Sequence, residues 1–364
     1  MKTEIVDKSK QRLAELDTCR ALAALSVLAI HVTSIPLGII DKNSLLFQLL
    51  FIINRFLQYA VPLFLMMSAI LEGYHFKKVE GFYLKKARRV LLPYLVWSLL
   101  YMGFNQFLNR GYLTEISNWK SMTNIILFGD AHYHLYFMSI LLQFLFLFPW
   151  LWKLQKRFGT HLLFGLLGSF ALQMLLCYLV TEPFYPVFPN IVKTFPRYFF
   201  ILNGGLLIGL AYAKKKELWH KYKYGIIAIA LLAMGYYIWL EYQLQYHAGV
   251  DVRFYLPVWY LYSFFISLCF LAFSAFLSQM KGPFKKGLDV VSKNSYGIYL
   301  LHPMILEIHR KIWVKLPVPS SILYLLIMLI VGVSVLVISI LTAAWISKNK
   351  YTAWMLGEMP RAKN

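Results

Sequence analysis

Charged residues and cysteine are both scarce in this sequence. Only 15% of the 364 residues are charged, whereas soluble domains carry roughly 25%, and a deficit of this size excludes a soluble core. The three cysteines, Cys19, Cys177 and Cys269, lie far apart and form no C-x-x-C motif. The sequence therefore predicts no disulfide framework and no metal site, and we interpret the cysteines as packing residues.

Acidic residues are especially few. The chain has 16 of them against 37 lysines and arginines, which gives a formal net charge of +21. A basic balance can indicate a nucleic-acid partner, but here the positive charges occupy short segments between apolar blocks. Membrane proteins carry their orientation signals in such segments. We therefore predict that this chain lies in a lipid bilayer and binds no nucleic acid.

Hydrophobic residues make up 59% of the chain and fall in long blocks. Blocks of about 20 apolar residues match the thickness of a bilayer, and backbone groups inside lipid must pair within their own segment, which favours helices. We predict an all-α, polytopic membrane protein with about ten transmembrane helices. The predicted spans are 20–40, 46–71, 90–107, 135–152, 161–181, 196–213, 224–243, 256–279, 294–313 and 320–347.

The positive residues also predict an orientation. When the N-terminus is placed in the cytoplasm, most of the 37 lysines and arginines fall in cytoplasmic segments, so we predict that both termini are cytoplasmic. No A-x-A-like cleavage site follows the first apolar block, so we expect it to be a retained helix. No connection is long enough for a soluble domain, and we predict one membrane domain over 1–364 with no appended soluble domain.

Ionisable residues inside apolar spans are costly and therefore indicate function. Arg20 and His31 are eleven residues apart in the first span. Eleven steps of about 100° place them on one helix face, about 16 Å apart along the axis. Arg20 at the inner surface suits a phosphate-bearing donor, and His31 suits general-base work on a hydroxyl. Alternatively, Arg20 is an orientation anchor and His31 a packing residue.

A second motif interrupts the ninth span over residues 295–303, which read SYGIYLLHP. The basic cytoplasmic flank of this span predicts that the helix runs outward, which places His302 at a depth similar to that of His31. Tyr296 and Tyr299 would shape the same site. The alternative is a proline-kinked helix in which His302 is hydrogen-bonded to a neighbour.

Five further polar residues are candidates for the site. Arg88 and Arg89 belong to a cytoplasmic basic cluster before the third span, which either clamps an anionic donor or attracts lipid headgroups. Ser68, near the end of the second span, either serves the site or allows close helix approach. His134 and Arg197 begin the fourth and sixth spans on the outer side, where the alternative role is an interfacial anchor.

Asp17 followed by Arg20-x10-His31 resembles the first-helix motif of the membrane acyltransferase 3 family. The resemblance covers nearly the whole chain, and the first and last motifs together are fairly specific. It continues in Phe64…Ser68, in the basic run before Pro93-Tyr94, in His134-Leu135-Tyr136-Phe137 and in Ser295…Pro303.

This resemblance implies a ten-helix protein of the bacterial cytoplasmic membrane. The family takes acyl groups, commonly acetyl, from cytosolic acyl-CoA and places them on hydroxyls of extracytoplasmic or lipid-linked glycans. By matching position, Arg20 would contact the CoA phosphates, and His31 would act as a base or as a transient acyl acceptor. Arg88 and Arg89 would support donor binding. Acyl-CoA would be the donor substrate, and no permanently bound cofactor is implied.

The chain departs from the family pattern at three places. Ala69 stands where a glycine is usual, Tyr136 stands where a tryptophan is usual, and Arg89 is shifted to four residues before Pro93. These departures indicate a divergent branch. That branch is similar to the intercellular-adhesin membrane proteins, which are assigned either to glycan succinylation or to glycan export.

We therefore predict a membrane O-acyltransferase that moves an acetyl or succinyl group onto an envelope polysaccharide, with His31 and His302 as catalytic residues. A donor from the cytoplasm and an acceptor from outside would meet near these histidines. A nucleophile elbow of the G-x-S-x-G type is not present. The alternative is a polysaccharide or lipid-linked sugar exporter, because intramembrane His and Arg also suit transport, although the sequence shows no paired broken helices. A third alternative is a membrane scaffold or sensor.

Overall fold

The computed structural model describes residues 13–108, 118–158, 161–247, 249–313 and 321–358. In these ranges the chain is mostly helical and contains no strand, which confirms the all-α prediction. The main α-helices are α1 Ala14–Leu37, α2 Leu45–Phe56, α3 Ala60–His75, α4 Phe82–Lys86, α5 Leu92–Phe107, α6 Trp119–Phe128, α7 Tyr136–Phe158, α8 Leu162–Leu176, α9 Phe199–Leu210, α10 Lys215–Tyr246, α11 Val252–Leu277, α12 Pro283–Trp313 and α13 Ser321–Lys348.

Eight helical stretches in the described ranges are long and apolar enough to cross a bilayer, and each overlaps a predicted span. They are Ala14–Leu37, Leu45–His75, Phe82–Phe107, Tyr136–Phe158, Leu162–Phe184, Tyr212–Tyr246, Arg253–Leu277 and Leu323–Lys348. The sixth predicted span corresponds to a shorter apolar helix, Phe195–Leu210, and the ninth lies in α12, where charged residues interrupt the apolar run. The multi-pass architecture is confirmed. The count of ten, the cytoplasmic termini and the single domain over 1–364 stay predictions.

Helix α1 lies in the interior of the bundle. It packs along α12 and also contacts α2, α3, α11 and α13. Its buried surface includes small residues, among them Ala21, Ala23 and Ala24, none of which is more than 3% exposed. Small residues let helix backbones approach closely in membrane proteins, so α1 can carry His31 into the bundle.

Helices α3 and α9 also pack through small residues. A Cβ placed at Gly205 would lie 2.7 Å from the carbonyl oxygen of Met66, and one at Gly209 would lie 2.5 Å from that of Ile70. Both distances are shorter than van der Waals contact, so glycine is required at both positions. Ala69, which stands where the family usually has glycine, lies opposite Gly205 in the same contact. The methyl group of Ala69 fits there because Gly205 has no side chain.

Two of the long helical stretches contain a π-helical turn, at Ala87–Leu91 and at Cys177–Thr181. Such turns are rare and are frequent at functional sites. The first joins α4 to α5 and carries Arg88 and Arg89, both of which are exposed. A C-terminal 3-10 turn, Ala353–Leu356, packs against this π-helical turn and against α5. The basic cluster therefore lies where the π-helical turn, α5 and the C-terminal 3-10 turn pack together.

The connection between α6 and α7 is fixed by close backbone packing. Helix α6 ends at Gly129, which has φ +70°, and a Cβ there would lie 2.5 Å from the backbone of Leu135. The side-chain amide of Asn105, on α5, donates to the carbonyl of Ala131 at 2.7 Å. Segment 130–135, which carries two histidines, is therefore held against α5 and the start of α7.

Candidate active site

Four histidine rings come together where α1, α12 and segment 130–135 meet. His31 on α1 stacks on His302 of α12, with ring centroids 5.4 Å apart and an interplanar angle of 28°. The ring of His134 lies 5.9 Å from that of His302, and its Nδ1 is 3.2 Å from Nδ1 of His132. The histidines of the first and ninth predicted spans are thus neighbours, and two loop histidines join them.

The hydrogen bond of His302 determines which of its ring nitrogens can react. Nδ1 lies 2.8 Å from the carbonyl oxygen of Ile298, one turn earlier in α12. A carbonyl oxygen can only accept, so Nδ1 carries the proton. In the neutral ring Nε2 then presents a lone pair. This atom is buried without a hydrogen-bond partner among the described residues. The alternative role, a histidine bonded to a neighbour, therefore describes Nδ1 and leaves Nε2 available.

His31 is the most accessible member of the cluster. It is partly exposed, whereas the other three histidines are at most 5% exposed. Its ring contacts Tyr133, with centroids 4.7 Å apart, and His302, and neither ring nitrogen has a hydrogen-bond partner within the described part of the chain. Behind it, the side-chain amide of Asn54 on α2 donates to the carbonyl of Ile30 at 2.9 Å. The helix is thus held in place while the ring remains open to a ligand.

Two tyrosines brace the cluster through backbone carbonyls. The hydroxyl of Tyr299 donates to the carbonyl of His134 at 2.7 Å, and that of Tyr101 donates to the carbonyl of Leu300 at 2.6 Å. The Tyr101 ring also lies 4.5 Å from His132 and 4.9 Å from His134. These contacts tie segment 130–135 to α5 and α12, so the positions of the histidines depend on both helices.

The surroundings of His134 disfavour its charged form. Burial, followed by the charges of His302, His132 and His31, holds the pKa of His134 well below its usual range, because a buried imidazolium loses its hydration. In the ranges the structure covers, no three His, Cys, Asp or Glu side chains are arranged to hold a metal ion.

A cavity of about 470 Å³ adjoins the cluster on the side predicted to be extracytoplasmic. This volume is within the range of roughly 300–1,000 Å³ that is typical of small-molecule sites. His132 and Tyr133 belong both to the cavity wall and to the cluster. The other aromatic and charged residues of the wall are Tyr136, Tyr198, Tyr255, Trp259, Asp130, Lys193 and Arg197.

Three further residues that were predicted for the site lie outside the cluster of four histidines. Arg197 lies in the cavity wall, where its guanidinium pairs with Glu182 at 2.7 Å. The hydroxyl of Ser68 donates to a carbonyl one turn earlier in α3 at 2.9 Å, which satisfies it locally and favours its structural role. Tyr296 stacks on Tyr299 with centroids 6.4 Å apart, and its hydroxyl is buried with no hydrogen-bond partner in the described chain.

The residues predicted to clamp an anionic donor lie on separate elements. Arg20 donates to the carboxylate of Asp17 at 3.0 Å, and 33% of its side chain is exposed. Arg88 and Arg89 lie on the π-helical turn before α5. A joint clamp of Arg20, Arg88 and Arg89 stays a prediction.

Tyr101 and Tyr133 contact the cluster but were not among the candidates taken from the sequence. Tyr133 had a local signal, because it separates His132 and His134 in a His-x-His stretch. Tyr101 had none, since a tyrosine in an apolar span has no distinguishing pattern. Its role follows only from the packing of α5 against segment 130–135.

The chain is similar to a known protein family and to several known proteins. A family model described as an acyltransferase domain matches residues 13–344. Two relatives, from Staphylococcus aureus strains MRSA252 and MSSA476, are each named "Probable poly-beta-1,6-N-acetyl-D-glucosamine export protein". Each is 26% identical over 308 residues, which cover 80% of this chain and 82% of the relative. No solved structure matches the chain.

Proposed function

This chain belongs to the acyltransferase family whose model matches residues 13–344, and we propose that it transfers an acyl group from acyl-CoA to a hydroxyl of a cell-envelope polysaccharide. The observation that carries the proposal is the stacking of His31 on His302 beside a cavity of ligand size. The name of the relatives refers to a poly-N-acetylglucosamine, which supports a polysaccharide acceptor. The protein would act in the bacterial cytoplasmic membrane, with an acetyl or succinyl group as cargo.

His31 is the proposed base. It takes the proton from the acceptor hydroxyl as the hydroxyl oxygen attacks the thioester carbonyl carbon. The new C–O bond forms, the C–S bond breaks, and the CoA thiolate leaves with the proton that His31 had taken. The partly exposed ring suits this role because its nitrogens are open to a substrate. A base of this kind contributes typically 10²–10⁴-fold to the rate.

His302 would act beside His31 rather than on its own. Its Nε2 is a fixed acceptor, which can orient the neighbouring ring by accepting its N–H. The same pair would also serve a two-step route. In that route a His31 nitrogen attacks the thioester, the C–S bond breaks, and the CoA thiolate leaves with the proton from the other nitrogen of the His31 ring. The acceptor hydroxyl then attacks the acyl-imidazole, His302 takes the hydroxyl proton, and this proton passes to the His31 ring as its C–N bond to the acyl group breaks. Both routes convert acyl-CoA and an alcohol into an ester and free CoA.

Arg20 is the proposed contact for the donor phosphates. Its ion pair with Asp17 is about one-third exposed on the arginine side, and exposed pairs are worth little. A phosphate can therefore replace the carboxylate as the partner of the guanidinium. Arg88 and Arg89 are exposed on their π-helical turn and would attract the same anionic donor.

A second candidate function is polysaccharide export, which the name of both relatives favours. A cavity lined by aromatic residues would also suit a sugar in transit. The two functions differ in the fate of acyl-CoA, because an exporter neither binds nor cleaves it. Measuring CoA release therefore separates them.

The test uses the purified protein in nanodiscs with acetyl- or succinyl-CoA and envelope polysaccharide. Wild type, His31→Ala and His309→Ala are compared for CoA release, with equal folding checked by thermal unfolding. His309 is a control outside the histidine cluster: its Nδ1 lies 2.9 Å from a carbonyl oxygen one turn earlier, as that of His302 does, and its Nε2 lies 2.9 Å from the hydroxyl of Ser334. We expect release by wild type and His309→Ala, and a loss of at least about 10²-fold in His31→Ala. If wild type releases no CoA from acetyl-, succinyl- or longer acyl-CoA, the enzyme proposal fails and export is favoured.

A further inference from the structure

The cavity next to the histidine cluster has a wall that suits a sugar ring. Trp259 and Tyr255 both line it and lie one helical turn apart on α11. The hydroxyl of Tyr255 donates to Glu241 at 2.6 Å, and Glu241 also pairs with Arg55. This network holds the Tyr255 ring in the wall. Rigid aromatic faces of this kind offer the C–H face of a sugar a large apolar contact.

The charges in the same wall occur as ion pairs. Lys193 pairs with Asp130, and both line the cavity. Arg197 pairs with Glu182 at 2.7 Å. A charged sugar bound here would have to displace one member of a pair or remain unpaired in a partly buried site, and both are unfavourable. The wall therefore favours an uncharged ligand.

Tyr133 separates this cavity from His31. Its ring lines the cavity and lies 4.7 Å from the His31 ring and 4.4 Å from the His132 ring. A ligand in the cavity is thus one side chain away from the proposed base.

From these three observations we infer that the cavity is the acceptor subsite, and that it takes a neutral sugar ring, such as an N-acetylated hexosamine, in preference to cationic or anionic sugars. The ring stacks on Trp259 and Tyr255 and points a hydroxyl towards Tyr133 and His31. This inference rests on the proposed function for the role of the sugar as acceptor. The binding preference itself can be measured without acyl-CoA.

The test measures calorimetric binding of three tetrasaccharides to the protein in nanodiscs. The probes are a neutral N-acetylhexosamine oligomer, its de-N-acetylated cationic form and a hexuronate oligomer. We expect the neutral probe to bind at least about tenfold more tightly than either charged probe. Trp259→Ala should weaken neutral binding at least about tenfold. Trp239→Ala should not, because Trp239 is 50% exposed on α10 and stacks on Tyr236 outside the cavity wall.

A charge variant keeps the test decisive if Trp259→Ala does not fold. Asp130→Asn leaves Lys193 without its carboxylate partner, so binding of the hexuronate probe should rise at least about tenfold. Unchanged hexuronate binding in that variant, or equal binding of all three probes to wild type, overturns the inference. Sugar binding without CoA release would retain the cavity as a sugar site and reject acyl transfer. If CoA is released in the presence of polysaccharide and Trp259→Ala binds the neutral probe as tightly as wild type does, only the assignment of the cavity is rejected.

Discussion

Gly129→Ala should displace the segment that carries two of the clustered histidines. Alanine in the left-handed region costs roughly 1–2 kcal/mol, and Gly129 has φ +70°. A Cβ there would also lie 2.5 Å from backbone atoms of Leu135 and Tyr136, which no side-chain rotation relieves. Overpacking of this kind adds about 1–3 kcal/mol. The substitution therefore costs a total of roughly 2–5 kcal/mol in the native conformation, which a displacement of segment 130–135 would relieve.

Gly81→Ala is the matched control. Gly81 has φ +71°, almost the same backbone conformation, but a Cβ there meets no atom within 4 Å. It therefore reports the backbone cost alone, roughly 1–2 kcal/mol. The difference between the two variants isolates the contact of Gly129 with the start of α7.

The assay combines thermal unfolding with CoA release in nanodiscs. We expect Gly129→Ala to unfold at a lower temperature than Gly81→Ala and to lose about 10²-fold in activity, because a misplacement of about 1 Å can cost that much. Gly81→Ala should retain activity within a few-fold of wild type. Equal activities of the two variants would refute the conclusion that segment 130–135 positions the cluster.

Three further outcomes are expected. His302→Gln should lower CoA release at least about 10²-fold, while His309→Gln leaves it within a few-fold of wild type; equal loss in both would contradict a role for the cluster. Tyr299→Phe should destabilise the fold by about 1 kcal/mol through loss of its hydrogen bond, whereas Tyr296→Phe should have no cost in thermal unfolding because its hydroxyl has no partner in the described chain. The pKa of His134 is depressed in the fold, so the free energy of unfolding should fall as pH is lowered below about 6.5, by at most about 1.4 kcal/mol per pH unit. His134→Gln should flatten this dependence in unfolding measurements at pH 5 to 8.

The helix positions could be predicted because a bilayer imposes a length and an apolar composition on every span. The ninth predicted span is also helical, although Glu307 and Arg310 interrupt its apolar run. The structure shows that these two residues pair with each other at 2.6 Å. Such pairing lowers the cost of charge near a helix end. The count of spans remains a prediction because α12 and Phe195–Leu210 lie outside the simple criterion of length and composition.

The meeting of His31 and His302 could be expected from their similar predicted depths. The sequence makes His134 a candidate, but the contact of His134 and His132 with this pair could not be predicted, because their positions depend on the turn at Gly129 and on the hydrogen bond from Asn105 to Ala131. These are tertiary contacts that hydropathy does not report. The fixed tautomer of His302 likewise depends on a side-chain conformation and not on a residue pattern.

The predicted donor clamp shows a different limit. Arg20 and the Arg88–Arg89 pair were grouped because they share a predicted membrane surface, but depth alone does not specify lateral position. The π-helical turn that carries the pair depends on packing from a distant part of the chain, since a Cβ at Gly357 would lie 2.6 Å from the carbonyl oxygen of Arg89. No local pattern in the sequence indicates that contact.

The central claim is that a cytoplasmic acyl donor and an external acceptor react at His31. Its most direct test uses proteoliposomes of defined orientation. Radiolabelled acyl-CoA is added on the face of the bilayer that carries the basic segment 77–89, which includes Arg88 and Arg89, and polysaccharide is added on the opposite face. Wild type should place ester-linked label in the polysaccharide, and His31→Ala should place none. Acyl transfer at His31 is refuted if wild type leaves the polysaccharide unlabelled, or if His31→Ala labels it as efficiently as wild type does.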